Sequence, residues 1–336
     1  MGNSARGHPR ARGPRPARPA PRSLVQEAGR VRDARQARRR PRPRRHGEAG
    51  RAFRGPRPDR RQADDAVTSA TTPPRPASAA TDALAGPTRS ALAELLLTMA
   101  DDEFVSGFTD SEWTGIAPLL EEDVAISSIS QDELGHARAL YQLLAEVLAD
   151  GRDEDAIAYD REPDAYRHAQ LLDHPRGDWA DTIARRFLYE LADEARLASI
   201  GPGYRPLADL VEKLRREERY HRMHVLAWIE RLAKGGPEPR RRLEAALLAH
   251  AVDAPSVFTP LDGEAELLEA GILTRSMAAS EAAWRADLTT ILVPLGLALP
   301  PTMEPTPAGR RDHSDAFSWL WSEFTSVRRS EEGVTW

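Results

Sequence analysis

From residue 88 onward the apolar side chains recur in alternating steps of three and four, the period of an amphipathic helix. Four stripes stand out: Leu92, Leu96 and Met99; Ile126, Ile129, Leu140 and Leu143; Ile183, Phe187 and Leu197; Leu214 and Val225. The spacing predicts helices over about 88–110, 118–149, 179–199, 204–233, 239–252, 262–270 and 275–292, and a short one near 314–328. Asp178 suits the N-cap of the third, with Asp181 in its first turn, and Gly235-Gly236-Pro237 stops the fourth. Residues 151–177 read as a long crossover with little regular structure. No run alternates as a strand would, so the expected class is all-α.

Each stripe is interrupted by acids or histidines. Glu103 continues the first, Glu133 and His136 sit inside the second, Glu190 and Glu194 share the third, and Glu218 and His221 lie in the fourth. Carboxylates on a core-facing stripe are costly unless they are paired or bind metal. Glu133-Leu-Gly-His136 and Glu218-Arg-Tyr-His221 are both Glu-x-x-His. Three residues of helix turn about 300° and rise about 4.5 Å, so each Glu shares a face with its His. Two such pairs can arise by chance in a chain of this composition, so their setting carries the weight.

Glu103 precedes Glu133 by 30 residues and Glu190 precedes Glu218 by 28, with Gly115-Ile-Ala-Pro118 and Gly201-Pro-Gly203 near the midpoints. An antiparallel helix hairpin returns each second Glu to nearly the height of the first. A Glu from each of two helices and Glu-x-x-His from each of the other two form the ligand set of a ferritin-like di-metal carboxylate bundle. The expectation is therefore a ferritin-like four-helix bundle with extra C-terminal helices. The plain alternative is that these groups are solvated or paired with arginines.

Charge divides the chain. Residues 1–61 hold 20 Arg against four acids, a net of +16, which leaves −21 on the other 275 residues of a chain whose net charge is −5. That stretch is rich in Arg and Pro without apolar periodicity and reads as disordered; 62–86 continues as an Ala/Thr/Pro/Ser linker. The expected division is a basic tail and linker over 1–86, with a mis-assigned start as the alternative, and a helical domain over 87–336. Arginine clusters can meet phosphates, but this tail lacks interleaved aromatics, which disfavours nucleic acid. No secretory h-region and no apolar run long enough to span a bilayer occur, so the expected location is cytoplasmic and off the membrane. The absence of cysteine excludes disulfides, thiolate zinc sites and a Cys nucleophile. No glycine-rich nucleotide motif is present.

At several of these residues the chain resembles the phenylacetic-acid degradation family of ferritin-like proteins, and within it the accessory subunits of phenylacetyl-CoA epoxidase. The matching runs are Ser111-Glu-Trp-Thr-Gly-Ile-Ala-Pro118, Asp132-Glu-Leu-Gly-His-Ala-Arg138, Asp178-Trp-Ala-Asp-Thr-Ile-Ala-Arg185, Arg219-Tyr-His221 with Trp228 and Arg231, and His313 through Glu323. In those accessory subunits the positions of Glu103, Glu133 and His136 are usually filled by residues that cannot complete a di-iron site. Here they are ligand types.

The resemblance implies a component of a multicomponent non-haem di-iron oxygenase acting on an aromatic acyl-CoA. Its partners would be a separate reductase and a homologous ferritin-like subunit, in a homo- or hetero-oligomer. The cofactor would be two iron ions, with manganese as the alternative metal. Glu103 and Glu190 would each hold one metal, Glu133 and Glu218 would bridge, and His136 and His221 would be terminal ligands. Asp132, Glu217, Asp193 and Glu194 are neighbours suited to support the ligands, with Glu194 also an alternative ligand to Glu190. No residue is assigned as an acid, base or nucleophile. The competing functions are a metal-free scaffold for a catalytic homologue and an iron-storage protein.

Overall fold

A computed structural model of the chain describes residues 76–298 and 310–330. The readings above for residues 1–75 lie outside this range. Ten α-helices and no strand occur among the described residues, joined by short 3-10 turns. The helices are α1 (Pro76–Asp82), α2 (Gly86–Ser111), α3 (Leu120–Leu148), α4 (Glu154–Tyr159), α5 (Trp179–Leu197), α6 (Arg205–Lys234), α7 (Pro237–Ala251), α8 (Glu264–Glu269), α9 (Met277–Leu292) and α10 (Asp315–Ser330). None of them is long and apolar enough to cross a membrane.

The four long helices pair as hairpins. Along α2 and α3, Gly107 faces Ser130 (Oγ to carbonyl, 2.6 Å), Asp101 faces Tyr141 (2.5 Å) and Arg89 faces Val147 (2.6 Å), an antiparallel register. A Cβ on Gly107 would lie 2.9 Å from the Leu134 side chain and 3.1 Å from the Ser130 carbonyl, so only glycine lets the two helices approach this closely. The second hairpin, α5 and α6, turns through residues 198–204. That turn is tied to the α8–α9 connection by Gly201 N to Ile272 O (2.8 Å), Gly203 N to Gly271 O (3.0 Å) and Thr274 N to Ser199 O (2.8 Å). Asp178 caps α5 in a capping box with Asp181, and α6 ends at Lys234 before the expected Gly-Gly-Pro stop.

The core runs between the hairpins through Leu92, Leu96, Met99, Ile126, Ile129, Leu140, Ile183, Phe187, Leu214 and Val225, all buried. These are the stripe residues, and burying each such side chain contributes about 1.5–3 kcal/mol.

Two segments differ from expectation. Residues 76–82, counted above with the tail and linker, form α1, and the buried Thr81 hydroxyl meets Tyr204 Oη at 2.7 Å. The crossover is more ordered than its composition suggests: it contains α4 and two 3-10 turns (Pro163–Ala165 and Gln170–Asp173). Buried acids of α2 hold it. Asp101 accepts from both Arg161 Nη atoms (2.5 and 2.9 Å) and from Arg167 N (2.6 Å), while Asp102 accepts from Ala169 N (2.7 Å). A charged stretch folds here because its partners lie in a distant helix.

The C-terminal segment returns to the same place. Arg310 grips Asp102 (3.0 and 3.1 Å), and Phe324 of α10 packs edge-on against Phe104 (5.0 Å). Asp173 takes the Ser314 amide (2.6 Å), His168 and His313, pinning the start of α10. Of the two tryptophans on α10, Trp321 donates to Arg161 O (2.9 Å), whereas Trp319 is exposed.

Candidate metal centre

Glu103 of α2, Glu133 and His136 of α3, Glu190 of α5, and Glu218 and His221 of α6 meet in the interior, all buried. One ligand atom from each of Glu103, Glu133, His136 and Glu218 lies within 4.8 Å of the others, and the same holds for Glu133, Glu190 and His221. Glu133 is common to both groups. The imidazole rings stand 6.0 Å apart between centroids.

Both rings turn Nδ1 inward. His136 Nδ1 is 3.1 Å from Glu218 Oε1 and 3.4 Å from Glu103 Oε2; His221 Nδ1 is 3.3 Å from Glu218 Oε2 and 3.5 Å from Glu133 Oε1. These are close approaches without hydrogen-bond geometry. Glu103 Oε2, Glu133 Oε2, His136 Nδ1, Glu218 Oε1 and His221 Nδ1 are all buried with no hydrogen-bond partner. Buried polar atoms are nearly always paired, so five orphans converging on one interior point need an explanation. A cation held among them supplies one, and carboxylate with imidazole is a donor set suited to iron or manganese. By this measure the residues fit a metal.

The outward ring nitrogens are fixed crosswise. His136 of α3 meets Glu217 of α6 (2.8 Å), and His221 of α6 meets Asp132 of α3 (3.3 Å). A carboxylate on the far nitrogen sets the tautomer and orients the ring toward a metal. Tyr189 Oη donates to Glu103 Oε1 at 3.0 Å, holding that carboxylate from behind.

The electrostatics follow from burial and crowding. Burial, then the Glu133 charge, raises Glu103 well above the carboxylate range. For Glu133 burial acts upward too, but the Glu103 carboxyl, His221 and Arg186 together hold it low. Burial and the neighbouring Glu218 and Glu133 raise Glu190 against the pull of Arg186. Burial opposes charge on the two rings, yet Glu103 and Glu218 push His136, and Glu133 and Glu218 push His221, up to about 12.

Of the four supporting positions named from sequence, Asp132 and Glu217 touch a histidine, each across the hairpin interface. Asp193 does not; its carboxylate pairs with Arg196 (2.6 Å). Glu194 lies outside the cluster and pairs with Arg215 (2.6 Å), which resolves the choice on that stripe in favour of Glu190 as the buried residue.

Sequence reasoning missed four groups: Arg186, Asp102, Arg196 and Arg310. Arg186, one turn before Glu190, reaches Asp110, Glu190 and Glu133. Asp102, next to Glu103, is gripped by Arg196 (2.5 Å) and Arg310. The available signal was Arg185-Arg186 set between Ile183-Ala184 and Phe187-Leu188, and Asp101-Asp102 directly before Glu103 within a helix.

An all-helical protein with a buried carboxylate–histidine centre shared by four helices is the class these features define. Residues 71–336 match the family model described as phenylacetic acid catabolic protein, and the chain belongs to that family. It is similar to the C subunit of 1,2-phenylacetyl-CoA epoxidase of Escherichia coli (strain K12), 28% identical over 248 residues, covering 71% of this chain and 97% of that relative. It is also similar to the A subunit of the same enzyme, 26% identical over 165 residues, covering 48% of this chain and 52% of that relative.

Proposed function

We propose that the chain is a ferritin-like, di-iron component of a multicomponent oxygenase that acts on an aromatic acyl-CoA. In this reading it draws electrons from a separate reductase and works beside a homologous helical subunit. The observation that carries it is the set of five buried, inward-facing ligand atoms without hydrogen-bond partners. Glu103, Glu133, His136, Glu190, Glu218 and His221 would hold the metals, with Glu133 common to both groups and Glu218 setting one oxygen by each imidazole. Bound iron at open carboxylate–imidazole sites supplies the activation of O₂. The protein's own part is to position the ligands. Asp132 and Glu217 orient the imidazoles and Tyr189 orients Glu103, while a cavity of about 580 Å³ lined by charged side chains reaches Glu190 and Glu218. Family membership supports a role in phenylacetate catabolism.

A second reading, a metal-free structural subunit, has one observation in its favour. The Arg186 guanidinium lies on Glu133 and Glu190, where a second cation would otherwise sit. Metal analysis separates the two. Protein purified anaerobically with iron supplied is expected to hold well over one equivalent, rising toward two on addition of Fe(II). Far less than one equivalent, unchanged by added Fe(II), would establish the structural role.

A further inference from the structure

The two halves of the centre are not alike, and the difference is Arg186. In the half formed by Glu103, Glu133, His136 and Glu218, an inward atom of every residue is free of hydrogen bonds: Glu103 Oε2, Glu133 Oε2, His136 Nδ1 and Glu218 Oε1. The half formed by Glu133, Glu190 and His221 has only His221 Nδ1 in that condition beyond the shared Glu133 Oε2. Arg186 Nη2 donates to Glu133 Oε1 at 3.1 Å and, in still closer contact, to Glu190 Oε1. The guanidinium is buried and always charged, so it cannot leave by losing its proton. Its other nitrogen, Nη1, is held by Asp110, a buried acid on α2 that belongs to neither half and whose second oxygen faces Arg185 Nη2 at 3.5 Å.

We propose that the two metal positions load unequally and in a fixed order, with Arg186 as the resident cation of the second. The first divalent ion enters the half around His136, where the inward ligand atoms make no hydrogen bond and no guanidinium sits among them. The second must take Glu190 and Glu133 oxygens away from Arg186, which then rests on Asp110 alone. Asp110 is thus a parking place: it lets the guanidinium give up two carboxylates without becoming an unpaired buried charge. Over a range of metal concentration the centre holds one metal ion and one guanidinium. This rests on the metal-binding reading above and adds an order of occupancy to it.

The test uses the full-length chain stripped with chelator and titrated anaerobically with Co(II), read by equilibrium dialysis and by the visible absorption of bound cobalt. Two phases are expected, separated by roughly 100-fold in affinity, equivalent to about 2.7 kcal/mol. His136→Ala should remove the tight phase and His221→Ala the weak one. Arg186→Gln should bring the two affinities to within about tenfold by strengthening the second. If that variant fails to fold by circular dichroism, the two histidine variants still decide the order. Two equivalents of equal affinity in the parent, or a tight phase lost with His221→Ala and kept with His136→Ala, would overturn the inference while leaving the metal centre standing. No cobalt binding at all would overturn both.

Discussion

Replacing Arg310 with methionine tests how firmly the C-terminal segment is built into the domain behind the centre. Asp102 is fully buried and adjoins Glu103; its carboxylate accepts from Arg196 at 2.5 Å, from Arg310 at 3.0 and 3.1 Å, and from the Ala169 amide at 2.7 Å. Burial works against that charge, but the two arginines hold its pKa below the usual carboxylate range. Arg310 also donates to the carbonyls of Arg167 and Val257, both at 2.8 Å. Breaking a buried ion pair by removing one partner costs about 3–5 kcal/mol. Because Arg196 remains to face Asp102, the lower half of that range is expected, about 3–4 kcal/mol, part of it from the two abandoned carbonyls. For a domain of this size that is a fall of roughly 6–16 °C in Tm. The assay is guanidinium chloride unfolding at neutral pH followed by circular dichroism. A double-mutant cycle with Asp102→Asn is expected to show a coupling of about 2 kcal/mol. A loss under about 1 kcal/mol, or no coupling, would show that Arg310 is a surface residue in practice and that α10 docks without it.

Three other outcomes follow. His250 of α7 is buried; burial first, then Arg185 and His174, depress its pKa to about 3, offset only slightly by the Asp181 backbone. Its ring is neutral when folded and takes up a proton when unfolded below about pH 6.5, so stability is lost as pH falls from about 6.5 toward 3, by about 1.4 kcal/mol per pH unit. Between about pH 7 and 5 the parent should lose about 2 kcal/mol more than a His250→Leu variant, and equal losses would dismiss the ring as the cause. Glu194→Ala should keep bound metal, since that side chain pairs with Arg215 at the edge, while Glu218→Ala should lose most of it; elemental analysis of both variants reads the contrast. Gly203→Ala places a Cβ 2.1 Å from the Ala270 carbonyl, and the forced shift should cost about 1–3 kcal/mol in thermal melts.

The stripes were legible because burial imposes a period on the chain. Glu103, Glu133, His136, Glu218 and His221 could be placed on the inner faces since each continues a run of Leu and Ile, and the structure brings all five together. The choice between Glu190 and Glu194 was not legible: both fit the stripe within the angular tolerance of a helix, and packing against α6 decides it. Arg186 and Arg310 were illegible for a different reason. A buried arginine looks like a solvated one until its anionic partners are known, and those include Asp110 and Glu133 on other helices for Arg186 and, for Arg310, Asp102, 208 residues away. The crossover misread has the same origin, because its order comes from Asp101 and Asp102 rather than from its own composition.

The crosswise contacts of His136 with Glu217 and His221 with Asp132 make the centre a gauge of assembly. Neither hairpin can orient its own imidazole, since the acid that does so belongs to the other. A slip of one helical turn between α3 and α6 would move partners apart by about 5.4 Å and disorient both rings together. In the metal-binding reading, capture of an ion would therefore report that the two hairpins have met in register, and a chain that had folded one hairpin but misdocked the second would not load.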